Sequence, residues 1–270
     1  MSTSRVLVLG AIAGMTIILG LPVGRLRNPA PRFRALLNAV AIGILVFLLF
    51  DVLAHANEPV ETALSDAGDG VGTWWRFTGL AAVFAAGFAI GLVGLVYFDR
   101  HVNATSPPNV RRRSLSNWTP AKRLSLLIAA GIGLHNFSEG LAIGQSAAKG
   151  DISLALLLII GFGLHNATEG FGIIAPLTAE AELPSWGFLA AMGLLGGGPT
   201  FVGTVVGRSF VNDTVFLAFL ALAAGSILYV IIQLLKVASR QTNSELTMWG
   251  IFVGVAAGFA TDYILVAAGV

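Results

Sequence analysis

The chain has 270 residues, 16 Lys and Arg, 14 Asp and Glu, and a formal net charge of +2. Only 11% of its residues are charged and 56% are hydrophobic, with a mean hydropathy of +0.82, whereas a soluble domain carries about 25% charged residues. That composition excludes a soluble enzyme, a disordered chain and a nucleic-acid-binding module, and the absence of cysteine excludes disulfides, thiolate metal sites and Cys nucleophiles.

A hydrocarbon layer about 30 Å thick is crossed by about 20 apolar residues in a helix. Eight stretches meet that length: 5–24, 33–55, 74–99, 121–148, 151–179, 184–207, 213–236 and 246–268. Their apolar runs are continuous rather than alternating, which predicts helices and not barrel strands. The first run follows Arg5 but ends in Leu21-Pro22-Val23-Gly24-Arg25, without a small-residue cleavage site, and is read as a retained helix. The connection 56–73 holds Glu58, Glu61, Asp66 and Asp69 and no basic residue, and reads as a solvated acidic loop. The connection at about 100–120 contains Pro107-Pro108 and Arg111-Arg112-Arg113 and reads as a flexible cytoplasmic linker whose arginines can meet anionic lipid. Glycines three or four residues apart, such as Gly87, Gly91 and Gly94, predict close helix packing.

Lys and Arg are unevenly divided between the two sides. The N-terminus and the even-numbered connections hold four, and the odd-numbered connections hold twelve. The positive side is cytoplasmic by rule. The expectation is therefore an all-α polytopic membrane protein of eight transmembrane helices, with both termini extracellular. It forms a single domain over residues 1–270 and sits multi-pass in the plasma (inner) membrane.

One repeat breaks the apolar pattern. Residues 131–143 read GIGLHNFSEGLAI, and residues 161–173 read GFGLHNATEGFGI. Eight of thirteen positions match at an offset of 30, which points to a local duplication. His135 and His165 lie equally far from the turn near Gly150, about 22 Å along each helix. An antiparallel hairpin therefore sets them at one depth, near the middle of the bilayer. Each His shares a helix face with the Glu four residues on. His135, Asn136, Glu139, His165, Asn166 and Glu169 can thus converge, while Gly140 and Gly170 permit close backbone approach.

Two carboxylates in hydrocarbon are costly, each by roughly 2.5–3.5 kcal/mol on insertion scales, and they repel one another. A divalent cation resolves both problems. Mixed nitrogen and oxygen donors suit Zn²⁺, Fe²⁺, Mn²⁺ or Co²⁺ better than Ca²⁺ or Mg²⁺. The lack of thiolates and the amide oxygens point to a labile site.

The pair HNFSEG and HNATEG resembles the paired signature of the ZIP (Zrt/Irt-like) family of metal transporters, especially its prokaryotic branch. The motif match covers about thirty residues; eight helices, outside termini and a linker after the third helix are similar to the family architecture. The resemblance implies a carrier moving a divalent transition metal, zinc first, toward the cytoplasm. It implies a two-metal site supplied by His135, Asn136 and Glu139 from the fourth helix and His165, Asn166 and Glu169 from the fifth. A homodimer is consistent with it. The chain departs from the family where Gly196-Gly197-Gly198-Pro199 stands in place of a Glu-Pro pair that completes the second metal position.

Asp51 and His55, four residues apart near the outer end of the second helix, are candidates for an entrance relay. Asp262 in the eighth helix and His101 after the third are weaker candidates. Two other readings compete: a di-metal membrane enzyme and a haem-binding redox protein with His135 and His165 as axial ligands. The His-x-x-x-Glu order differs from the Glu-x-x-His spacing of di-iron bundles, and haem ligation needs no midplane carboxylates.

Overall fold

The structure is a computed structural model that describes residues 2–26, 31–104, 118–148, 150, 152–180, 182–209, 212–239 and 244–267. Those residues form eight long helices: α1 (Thr3–Met15), α2 (Pro31–Gly68), α3 (Trp74–Ala104), α4 (Pro120–Ala148), α5 (Ile152–Ile174), α6 (Trp186–Ser209), α7 (Asp213–Ala238) and α8 (Ser244–Ala267). Tighter 3-10 turns extend α1 over Thr16–Leu19 and Leu21–Arg25, and α5 over Ala175–Ala179. With those extensions all eight are long and apolar enough to cross a membrane. The expected linker falls mostly on residues 105–117, outside the described residues.

Short polar side chains start several helices by satisfying their unbonded N–H groups. Thr119 Oγ1 accepts from Lys122 N at 3.3 Å ahead of Pro120, Ser185 Oγ from Phe188 N at 3.1 Å, and Asn212 Oδ1 from Val215 N at 3.0 Å. One boundary differs from expectation. The acidic stretch read as a loop is helical as far as Gly68, so α2 has 38 residues and spans about 57 Å. Ala, Glu and Leu favour helix in water as well as in lipid, and Asn57 Nδ2 donates to Glu61 Oε1 at 2.6 Å. The helix stops at Gly70, whose φ of +74° is open to glycine; Val71 N and Gly72 N then donate to Asp66 O at 2.9 and 2.7 Å.

The helices pack as two groups of four. Helix α4 packs broadly on α6, and α1 with its 3-10 extension covers α5 and crosses α6. In the second group α3 packs on α7 and α2 on α8 and α7. The groups meet mainly where α4 touches α7 and α2 touches α5. Glycine makes these crossings close. At the α1–α6 crossing, a Cβ on Gly14 would collide with the carbonyl oxygen of Gly197, and a Cβ on Gly197 with that of Gly14. At the α2–α8 crossing, Gly43 and Gly254 face each other at 2.8 Å from a built Cβ to the opposite Cα.

The two ends of the molecule differ. On the side of the α1–α2, α3–α4, α5–α6 and α7–α8 connections, the space between the groups is filled by Leu45, Leu48, Ile128, Ile132, Ile173, Leu177 and Leu234, all buried. On the side of the turns 69–73 and 148–152, a cavity of about 310 Å³ enters between α2, α4, α5, α7 and α8.

Candidate functional site

The repeated motifs lie on the facing sides of α4 and α5 and come together beside that cavity, which His135, Ser138 and Glu139 of the α4 copy line. His135 Nε2 is 3.1 Å from Glu139 Oε1, one turn along α4, and 4.0 Å from Glu169 Oε1 on α5. The His135, Glu139 and Glu169 side chains are at most 4% exposed. Two carboxylates thus flank one imidazole nitrogen.

The asparagines link the two helices reciprocally. Asn136 Nδ2 on α4 donates to Glu169 Oε2 on α5 at 3.2 Å, and Asn166 Nδ2 on α5 donates to Glu139 Oε2 on α4 at 3.4 Å. Each also reaches a backbone carbonyl on an outer helix. Asn136 Nδ2 donates to Gly196 O of α6 at 3.0 Å, and Asn166 Nδ2 to Ala13 O of α1 at 3.2 Å. Both asparagines are fully buried, and their Oδ1 atoms have no hydrogen-bond partner among the described residues. A buried amide oxygen left without a donor is costly, and it is the atom with which an amide would bind a cation.

Glycine allows this closeness. A Cβ on Gly140 would collide with the Thr200 carbonyl of α6, and one on Gly170 with the Ile17 carbonyl. The expected close approach after each Glu is realised against α6 and α1, the helices that supply the acceptor carbonyls. The stretch Gly196-Gly197-Gly198-Pro199 serves packing: Gly196 gives its carbonyl to Asn136, and Gly197 sits on Gly14.

Of the six residues expected at the centre, the structure brings His135, Asn136, Glu139, Asn166 and Glu169 together. His165 lies on α5 next to Asn166, but its side chain is outside the described residues. Among the described residues no three His, Asp or Glu side chains close into a ready metal cage; the remaining donors are the two amides.

Asp51 and His55 do not join the centre. They line the same cavity as His135 and Glu139, together with Ser138, Thr261 and Asp262. His55 Nδ1 is bonded to the Asp51 carbonyl at 2.9 Å and lies 3.5 Å from Asp51 Oδ1. Its side chain is 60% exposed, which puts this pair at the mouth. Asp262, a weaker candidate of the sequence, lines the same cavity from α8; that it shares the cavity with Asp51 and His55 carried no sequence signal, because the two helices meet only in the fold. The Ala13 and Gly196 carbonyls were equally invisible, since any residue can offer a carbonyl.

A buried cluster of imidazole, carboxylates and amide oxygens thus lies beside a cavity of mixed lining, on eight apolar helices. No family profile matches the chain. The zinc transporter ZupT of Nitratidesulfovibrio vulgaris is 31% identical over 264 residues, covering 90% of this chain and 92% of that protein. The chain belongs to the ZIP family of metal transporters. It is accordingly a multi-pass membrane protein, and a transporter rather than an enzyme.

Proposed function

We propose that this ZIP protein carries a divalent transition metal ion, zinc first and iron, manganese or cobalt as alternatives, into the cytoplasm through the centre between α4 and α5. The observation that carries this reading is the reciprocal lattice of Asn136, Glu169, Asn166 and Glu139 around His135. Glu139 and Glu169 supply the charge that draws a dication out of water. His135 supplies a nitrogen that favours transition metals over Mg²⁺ and Ca²⁺. His165 is proposed as the matching ligand from α5. Asn136 and Asn166 hold the carboxylates by their N–H groups and offer their Oδ1 atoms to the ion.

Asp51 and His55, with Asp262, are proposed to collect ions at the mouth. A carboxylate pair beside an imidazole raises the local cation concentration by simple attraction. With the arginine-rich side in the cytoplasm, the cavity opens outward and the apolar seal of Ile128, Ile132 and Ile173 faces inward. An ion entering from outside reaches the centre and is stopped there. Passage requires the two helix groups to rearrange so that the seal opens, as in carriers that expose a midplane site to each side in turn.

The test is uptake of Zn²⁺, Fe²⁺, Mn²⁺ and Co²⁺ into vesicles reconstituted with the purified chain, beside the variants Glu139→Ala and Glu169→Ala. Saturable uptake lost in both variants supports the reading. Uptake unchanged in both variants overturns the site.

A further inference from the structure

Resting on the transport-site reading, we infer that Thr16 is a positioning residue for the centre: it holds a break in α1 that frees the Ala13 carbonyl for Asn166, and through Asn166 it fixes Glu139. The first membrane span is not one continuous α-helix. It is α-helical as far as Met15 and goes on as 3-10 turns over Thr16–Leu19 and Leu21–Arg25. The residues from Gly14 to Pro22 favour that change: Thr16, Ile17 and Ile18 are β-branched, and Pro22 lacks the N–H that would meet Ile18 O. At the break the N–H groups of the cap go to Ile12 O and Gly14 O and pass over Ala13 O. A buried carbonyl then needs donors from elsewhere. Ala13 is 1% exposed, and its carbonyl takes two side-chain donors, one for each lone pair: Thr16 Oγ1 at 2.6 Å and Asn166 Nδ2 at 3.2 Å.

A threonine bonded to a carbonyl one turn back is common in helices. Thr204 Oγ1 donates to Thr200 O at 2.8 Å in this way without interrupting α6, which runs from Trp186 to Ser209. Thr16 differs in two respects. It stands where the α-helix changes to 3-10, and it shares its acceptor with the side chain that holds Glu139 Oε2. This part of α1 faces α5: a Cβ on Gly163, about one turn before Asn166, would lie 3.7 Å from Ala13 Cα and 3.8 Å from Thr16 Cγ2. If α1 continued as an α-helix, the N–H of Ile17 would take the Ala13 carbonyl and draw it along the helix axis, away from α5. The two arms of the centre therefore depend on their outer helices differently. Asn166 and Glu139 use a carbonyl that a helix break sets free. Asn136 and Glu169 use Gly196 O, inside an unbroken helix.

Calorimetric titration of the purified, detergent-solubilised chain with Zn²⁺ tests this. Thr16→Val keeps the shape of the side chain and removes the hydroxyl. It is expected to weaken Zn²⁺ binding about 10-fold, the lower end of what an outer partner of a metal ligand contributes. Thr16→Ser keeps the oxygen and is expected to bind as the wild type does. Coupling between variants separates positioning from a general effect on packing. Added to Asn166→Ala, Thr16→Val is expected to weaken binding no further; added to Asn136→Ala, it is expected to weaken binding by the full ~10-fold again. If Thr16→Val does not fold, Thr16→Ala carries the same comparisons. Hydroxyl-free variants that bind as the wild type does, no recovery in Thr16→Ser, or an equal loss on the two asparagine backgrounds overturns the inference and leaves the transport site intact. Zinc binding unchanged in both Glu139→Ala and Glu169→Ala overturns the transport-site reading and the inference with it.

Discussion

The two halves of the molecule on either side of the His135 centre use the same helices for opposite ends. Toward the turns 69–73 and 148–152, α2, α4, α5, α7 and α8 leave a cavity lined by Asp51, His55, Ser138, Glu139 and Asp262. Toward the arginine-rich connections the same helices close on Ile128, Ile132, Ile173 and Leu177. The difference teaches where, on the proposed reading, an ion would be stopped. The cavity reaches His135 and Glu139 from one side; beyond them lie mainly apolar side chains, among which Ser125 and Asn38 are tied to the carbonyls of Ile173 and Leu234. On the proposed reading, an ion that enters through the cavity is held at Glu139 and Glu169.

The largest effect that can break this contrast is at its boundary. Glu139→Ala and Glu169→Ala are each expected to lower vesicle uptake at least ~100-fold, since loss of a mere supporting group already costs about 10–100-fold in metal affinity; retained insertion is checked by size-exclusion of the purified variants. Next come Asn136→Ala and Asn166→Ala. Each removes a clamp rather than a charge, and each is expected to weaken metal binding by about 10–100-fold, read by titration calorimetry.

The absence of native cysteine makes the two halves directly comparable by thiol labelling. Ala142→Cys, on the cavity wall, is expected to react with a water-soluble thiol reagent at least ~10-fold faster than Ile128→Cys in the seal, because reactivity follows exposure. Added Zn²⁺ is expected to slow labelling at position 142. Equal rates at the two positions would erase the distinction between them.

Acidity is expected to act on the centre and not on the seal. Metal binding needs neutral imidazole and ionised carboxylate, so protons compete with the ion. Uptake falls as the pH goes from 7.5 to 5, and a flat profile over that range argues against direct His and Glu ligation. The smallest effect belongs to the mouth. Asp51→Asn and His55→Ala are expected to change uptake by no more than ~3-fold, and mostly at low salt, because exposed charges act by attraction that ions screen.

Much of this was legible in the residues. Hydropathy placed all eight helices, and the duplicated HNxxEG motif foretold that His135, Asn136, Glu139, Asn166 and Glu169 converge, because both signals are local and repeat at helical spacing. The end of α2 was not legible: hydropathy marks where hydrocarbon stops, and Glu58, Glu61 and Asp66 continue a helix in water. The partners of Asn136 and Asn166 were not legible either. Amides one residue after each His read as ligands on the same face, yet their N–H groups cross to the other helix's carboxylate and to the carbonyls of Gly196 and Ala13. Those acceptors belong to α6 and α1, whose contact with the centre is a property of packing alone.

That crossed wiring gives each acid its own anchor. Through Asn136, Glu169 is tied to the backbone of α6, and through Asn166, Glu139 is tied to the backbone of α1. The two acids thus lean on different outer helices, each by a single amide, so that loss of either amide frees one carboxylate and leaves its twin held.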